Sequence, residues 1–227
     1  MSAGPTFQLS SLSPAVGERD LRRLAAALAI AGAEVALAWG LAVPGVSVLA
    51  PGAAPDPRSA QVVMVPTLDI AAAAGFHSTD PEGAPYGRVL ATEAIPAAEW
   101  QRAASHELIE TLVDPRCNGW ALDWDGRMWA LEACDPVQAD WYGLDLGDGG
   151  PPVAVSNWCT PAWFTDPVPS RPALDRMGLV PAPWTVRPGG YAVTYSGGRV
   201  SAVSGPQERP AASRWARRMA SEPGRSA

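Results

Sequence analysis

The chain contains only two histidines, and one of them opens the run His106-Glu107-Leu108-Ile109-Glu110. On an α-helix, residues four apart lie about 40° apart round the axis and one turn up. His106 and Glu110 are therefore expected to point the same way, close enough to share a metal ion. Glu107, about 100° round from His106, flanks the same site. Leu108, Ile109, Leu112 and Val113 fall on the other side and offer an apolar seat. In H-E-x-x-H zinc enzymes, two histidines one turn apart hold the ion and the glutamate acts as general base. Glu110 stands here in place of the second histidine. A carboxylate can ligate zinc, but its negative charge lowers the Lewis acidity of the ion. The competing reading of the same five residues is a solvated helix face with a His–Glu pair at i, i+4.

A zinc site needs at least three protein donors. Downstream, the carboxylates gather in Leu131-Glu132-Ala133-Cys134-Asp135-Pro136. Glu132 is expected on the metal, and Asp135 as acceptor of the histidine's other ring N–H. The two roles are open to exchange, and capping of a turn is the alternative for both. Asp114 faces the same way one turn further on, but Asp before Pro115 also suits a helix terminator. Cys134 can ligate zinc as a thiolate, but alternation from Glu132 predicts a buried thiol instead. His77, in Gly75-Phe76-His77-Ser78, reads as a loop residue. It suits a metal ligand or, like Tyr86, a hydrogen-bond donor to a transition-state oxyanion.

The elements that must position these groups follow from periodicity. Residues 20–31 read as a helix closed by Gly32, because Leu21, Leu24, Ala25 and Leu28 recur at helical spacing. Residues 34–49 are expected to hold strand, with a turn at Pro44-Gly45. Residues 61–66 form a short buried strand, 71–85 a Gly/Asp/Pro-rich loop, and 86–92 a second strand. Pro96 opens the helix that carries the H-E-x-x-E run, which reaches Val113 and stops before Asp114-Pro115. A hairpin is expected over 121–124 and 127–133 around Asp125-Gly126. A long loop, a short strand at 153–155 and a Trp-rich segment at 157–164 follow. Residues 191–195 and 199–203 form another hairpin around Ser196-Gly197-Gly198.

Composition bounds the classes. The 227 residues include 47% hydrophobic ones, enough for a core, but 24 prolines and 22 glycines are too many for a helical bundle. The net charge of −6 argues against a duplex nucleic-acid binder. No signal peptide is read at the N-terminus. The longest apolar stretch is broken by Gly32, Glu34, Gly40 and Pro44, which argues against a membrane span. Cys117, Cys134 and Cys159 make no disulfide framework. The organisation expected is a single α+β domain over 1–206 and a basic, flexible tail over 207–227. Trp120, Trp124, Trp129, Trp158 and Trp163 suit either a substrate cleft wall or core packing.

The pattern Ser105-His106-Glu107-x-x-Glu110-x-x-x-Asp114-Pro115, followed by Glu132-x-x-Asp135, resembles a group of bacterial, phage and fungal zincin-like proteins. Further segments are similar to their actinobacterial and phage branch. They are Trp39-Gly40, Gly75-Phe76-His77 before Gly83-x-Pro85-Tyr86-x-Arg88-Val89, Val155-Ser156-Asn157 leading to Thr160-Pro161-Ala162-Trp163-Phe164, and Gly189-Gly190-Tyr191. The resemblance covers roughly residues 20–203. It implies a zincin-like metallopeptidase core: a small mixed sheet, an active-site helix and a loop-rich C-terminal half. It implies that residues 86–92 form the edge strand along which substrate backbone adds. His106, Glu110, Glu132 and Asp135 become metal-site positions for Zn²⁺, and Glu107 the base. Which of Glu132, Asp135 and His77 is the third ligand stays open.

The function expected is zinc-dependent hydrolysis of a peptide or other amide, with Asn157 and His77 or Tyr86 helping to position it. No nucleic-acid or membrane partner is expected, and the location is cytoplasmic or phage-associated. Two rivals stand beside it: a non-catalytic, phage-derived structural or interaction protein with a zincin-like fold, and a biosynthetic tailoring metalloenzyme.

Overall fold

Why a parallel sheet forms here is visible in the connections. The computed structural model describes residues 4–50, 52–70, 73–165, 167 and 172–206; the expected tail over 207–227 lies outside the described residues. In chain order the elements are β1 (Thr6–Ser11), α1 (Glu18–Trp39), β2 (Gly45–Val48), β3 (Ala60–Val65), β4 (Gly75–Thr79), β5 (Pro85–Leu90), α2 (Ala97–Val113), β6 (Trp120–Leu122), β7 (Met128–Ala130), β8 (Trp141–Leu144), β9 (Val153–Ser156), β10 (Tyr191–Ser196) and β11 (Arg199–Ser204). The fold class is mixed α and β, with a small mixed sheet. The described residues gather into two compact units, 4–117 with 141–156, and 118–140 with 157–206.

In the first unit a five-stranded sheet has the order β2-β1-β3-β5-β4. The first four strands are parallel and β4 alone is antiparallel. Parallel neighbours need a crossover, and α1 supplies it between β1 and β2. Phe7, Leu9, Val62, Met64 and Val89 are buried. They share one face of the sheet by register. Leu21, Leu24, Leu28 and Val35 are the buried side of α1. The two helices pack on one another, and α2 also packs on β3, β4, β5 and β9.

Several expectations need correction. Gly32 does not end α1; it lies buried inside a helix that runs on to Trp39 and ends at Gly40, whose φ of 64° is left-handed. Gly32 is a packing residue, since a Cβ there would sit 2.7 Å from Pro44 Cγ. Residues 34–39 are consequently helical, and strand is confined to β2. The expected loop over 71–85 contains β4, which makes His77 a strand residue. The strand expected at the sheet edge, β5, lies between β3 and β4, so β4 is the edge. The loop after β7 also holds β8, paired with β9.

In the second unit a four-stranded antiparallel sheet has the order β11-β10-β7-β6. Both hairpins form where the turn residues placed them. Gly126 has φ 76°, and Gly197 and Gly198 have φ 57° and 77°, which suits a type I′ turn. Trp129, Trp163 and Trp184 pack against one another with ring centroids 5.5–5.7 Å apart. Trp129 and Trp163 thus build a core rather than wall a cleft, while Trp124 is exposed at the hairpin tip. No helix among the described residues is long and apolar enough to cross a membrane.

Two outcomes are expected. Gly32→Ala gains about 0.5–1 kcal/mol of helix propensity but drives a methyl into the Pro44 ring, at about 1–3 kcal/mol. Denaturant titration should show net destabilisation; a more stable protein would remove the contact from the account. The second concerns Asp123, in the β6–β7 turn. Burial pushes its pKa up, but hydrogen bonds from Trp129 Nε1 and the backbone N–H groups of Arg127 and Asp125, with the Arg127 charge, together hold it below 3.8. A depressed carboxylate pKa stabilises the fold above the unfolded value, and that stability is lost as pH falls through the folded value. Wild type should lose its stability margin over Asp123→Asn only below pH 3.8, as read by unfolding at stepped pH.

Candidate functional site

Helix α2 is buried nearly all round. Trp100, Ala103, Ala104, Leu108, Ile109 and Leu112 are its apolar contacts, but Ser105, Glu107, Glu110 and Thr111 are buried as well. The ionic face, which the competing reading left to solvent, is turned into the unit. Each polar group there has a use. Ser105 Oγ donates to the Arg102 carbonyl at 2.8 Å and accepts the N–H of Ser156 at 2.8 Å. Gln101 Oε1 accepts the N–H of Ala154 at 3.1 Å. Two residues one helical turn apart thus satisfy alternate N–H groups of β9, the strand whose other edge is paired with β8. Thr111 Oγ1 donates to the Glu107 carbonyl at 2.7 Å.

The sheet side receives Glu107. A Cβ on Gly75 would lie 2.8 Å from Glu107 Oε1, and one on Gly87 would lie 3.3 Å from Glu107 Cβ. The two glycines leave the space into which the glutamate descends. His77 pairs with Gly87 across β4 and β5 and presents its ring on the same face. Its Nδ1 lies 3.1 Å from Glu107 Oε2 and 3.4 Å from Glu110 Oε2. His106 Nε2 lies 3.1 Å from that same Glu110 oxygen. Both histidines of the chain, 29 residues apart in sequence, converge on one carboxylate oxygen. His77, Glu107 and Glu110 are 1%, 5% and 2% exposed, and the His106 side chain is 13% exposed. Charges so deeply placed require partners.

The donor chemistry fits a borderline divalent ion. Imidazole nitrogen and carboxylate oxygen are both zinc ligands, and donors at 2.0–2.1 Å on a tetrahedral ion stand about 3.3 Å apart. The separation of 3.1 Å between His106 Nε2 and Glu110 Oε2 is of that size. Glu110 belongs to both donor groups among the described residues that are close enough to share an ion, once with His106 and once with His77.

The other expected site residues are placed as follows. Tyr86 is on the opposite face of the sheet from His77. Its register partner is Ser78, and its ring meets Phe76 edge-on at 6.0 Å. Strand alternation therefore separates it from Glu107 and Glu110. Asp114 is buried at the end of α2, where its carbonyl accepts the N–H of Cys117. In the second unit Glu132 follows β7 and Asp135 opens a single 3-10 turn, Asp135–Val137; both are buried. Cys134 is buried and in no disulfide. That turn is fixed closely. A Cβ on Gly190 would lie 2.3 Å from the Pro136 carbonyl oxygen, whose other partner is the Arg187 N–H at 2.9 Å. Asp140 binds the Arg187 guanidinium through both oxygens at 2.9 and 3.2 Å and raises its pKa. Asn157 is not a substrate-positioning side chain in the open. It is fully buried, donating to Asp175 Oδ2 at 2.7 Å and accepting the N–H groups of Trp158 and Met177.

Sequence reasoning named Gly75 and Ser105 only as positions of a pattern, and Gly87 not at all. A glycine inside a strand, opposite a helix rich in carboxylates, was the available signal. Comparison of the chain with protein-family models, curated proteins and solved structures finds no match.

Gly75→Ala should cost about 1–3 kcal/mol, because the methyl meets Glu107 and the Arg88 carbonyl. In a Glu107→Ala background the cost should shrink by about 0.5 kcal/mol or more, measured by a double-mutant cycle. Strict additivity would mean that the glycine does not seat the glutamate.

Proposed function

We propose that the chain is a zinc-dependent hydrolase of a peptide or other amide, working at the His106–Glu107–Glu110 face of α2. The observation that carries this reading is Glu110 Oε2, which lies 3.1 Å from His106 Nε2 beside a second buried glutamate. His106 and Glu110 would hold the ion. Glu132, with Asp135 beside it in sequence, is the proposed source of the remaining protein donor, on the E-x-x-D pattern alone. A bound zinc would lower the pKa of water and polarise the scissile carbonyl. Glu107 would take the proton of the attacking water and deliver it to the leaving nitrogen. Its place over Gly75 and Gly87 keeps the carboxylate from swinging away. The second carboxylate in the donor set, Glu110, adds negative charge and favours tight binding over strong polarisation.

Burial favours a second reading. With His77, Glu107 and Glu110 each at most 5% exposed, the site resembles closed structural zinc sites more than open catalytic ones. A metal-stabilised structural or interaction protein would need no hydrolysis.

Elemental analysis of the purified chain should find one zinc, lost in His106→Ala and Glu110→Ala. Glu107→Gln should keep the metal and lower hydrolysis of peptide and amide substrates by about 10²–10⁴-fold. Zinc with no hydrolysis in wild type, and a lowered melting temperature on chelation, would assign the structural role instead. A wild-type chain that binds no divalent ion would end both readings.

A further inference from the structure

His77 was expected in a loop, as a ligand or an oxyanion donor. The geometry points to a different role: we propose that His77 is a positioning residue whose Nδ1–H is shared between Glu107 and Glu110, holding the two carboxylates in register from the sheet side. The role rests on the proposed hydrolase site only in that it takes these glutamates as its working groups.

Four observations carry it. Nδ1 stands 3.1 Å from one carboxylate oxygen and 3.4 Å from the other. With both glutamates ionised, a bare nitrogen lone pair aimed at two such oxygens would be repelled by both, and the proposal therefore puts the proton on this nitrogen. Glu107 and Glu110 are three residues apart on α2, neighbours on the helix surface whose like charges repel. A single donor placed between them offsets that repulsion and fixes both side-chain directions. The donor comes from a strand. His77 is held opposite Gly87 by the β4–β5 ladder, so its position is set by backbone pairing rather than by a loop. Finally, His77 is 1% exposed, which leaves little room for water to replace it.

The test uses the full chain labelled with ¹⁵N-histidine. Only two histidines are present, so His77→Gln assigns the signals. Long-range ¹H–¹⁵N spectra of the metal-free protein should show Nδ1 of His77 protonated. A bare Nδ1 with the proton on Nε2 overturns the proposal. Zinc affinity by chelator competition gives the second readout. His77→Leu should bind about 10- to 100-fold more weakly, the usual cost of removing a group that orients a ligand. His77→Asn keeps an N–H donor at the Nδ1 position, and should return to within about threefold of wild type with an unchanged visible spectrum of the cobalt-substituted protein. Wild-type affinity in His77→Leu would overturn the proposal. So would a His77→Asn protein as weak as His77→Leu with an altered cobalt spectrum, since His77 would then be a ligand itself. If wild type binds no metal but Nδ1 is protonated, the hydrolase reading falls and the clamp between the glutamates stands.

Discussion

Two glutamates and two imidazoles share a region from which water is nearly excluded, and the first unit is built around making that tolerable. A buried carboxylate without partners costs several kcal/mol. Here each has one: Glu107 has His77, and Glu110 lies between His77 and His106. The partners come from different elements, so the pairing holds only while α2 is seated at a fixed depth and rotation against β4 and β5. The stability of the unit and the hydrolysis proposed for it therefore depend on the same contact.

Depth is set by what is missing from the sheet. Gly75 and Gly87 bring the helix close enough for the Glu107 side chain to rest on strand backbone. Rotation is set from the other flank, where Gln101 and Ser105 receive N–H groups of β9. The helix is thus held on one side by a close approach and on another by hydrogen bonds. Neither device depends on the apolar residues that give α2 its helical periodicity. Leu108, Ile109 and Leu112 add burial, which is non-directional and could not by itself choose the angle at which Glu107 meets His77.

The second unit uses the same two devices for a different end. Gly190 admits the Pro136 carbonyl, and Arg187 binds Asp140 at one side of that turn. The segment carrying Asp135 is pinned at close range. Asp175 and Asn157 do likewise for the Trp158 and Met177 backbone. Asn157, offered by the sequence as a substrate-positioning residue, holds a loop in place.

Local chemistry determined much of this protein directly from the sequence. Helical spacing with Pro96 before it and Asp114-Pro115 after it defined α2, because caps and proline act within a few residues. The same holds for both hairpins, whose turns need left-handed glycines, and for the His106–Glu110 pair, which one helical turn brings together. Only the tertiary structure could decide the rest. Gly32 looked like a helix stop and is a contact with Pro44, since a missing side chain signals either use. The five residues of β4 are too few for periodicity to separate from turn signals, so His77 was misplaced in a loop. Tyr86 and His77 were equal candidates until the register put them on opposite faces. Which carboxylates are buried, and which imidazole meets them, depends on pairing between segments thirty residues apart, and no local rule of the chain encodes that distance.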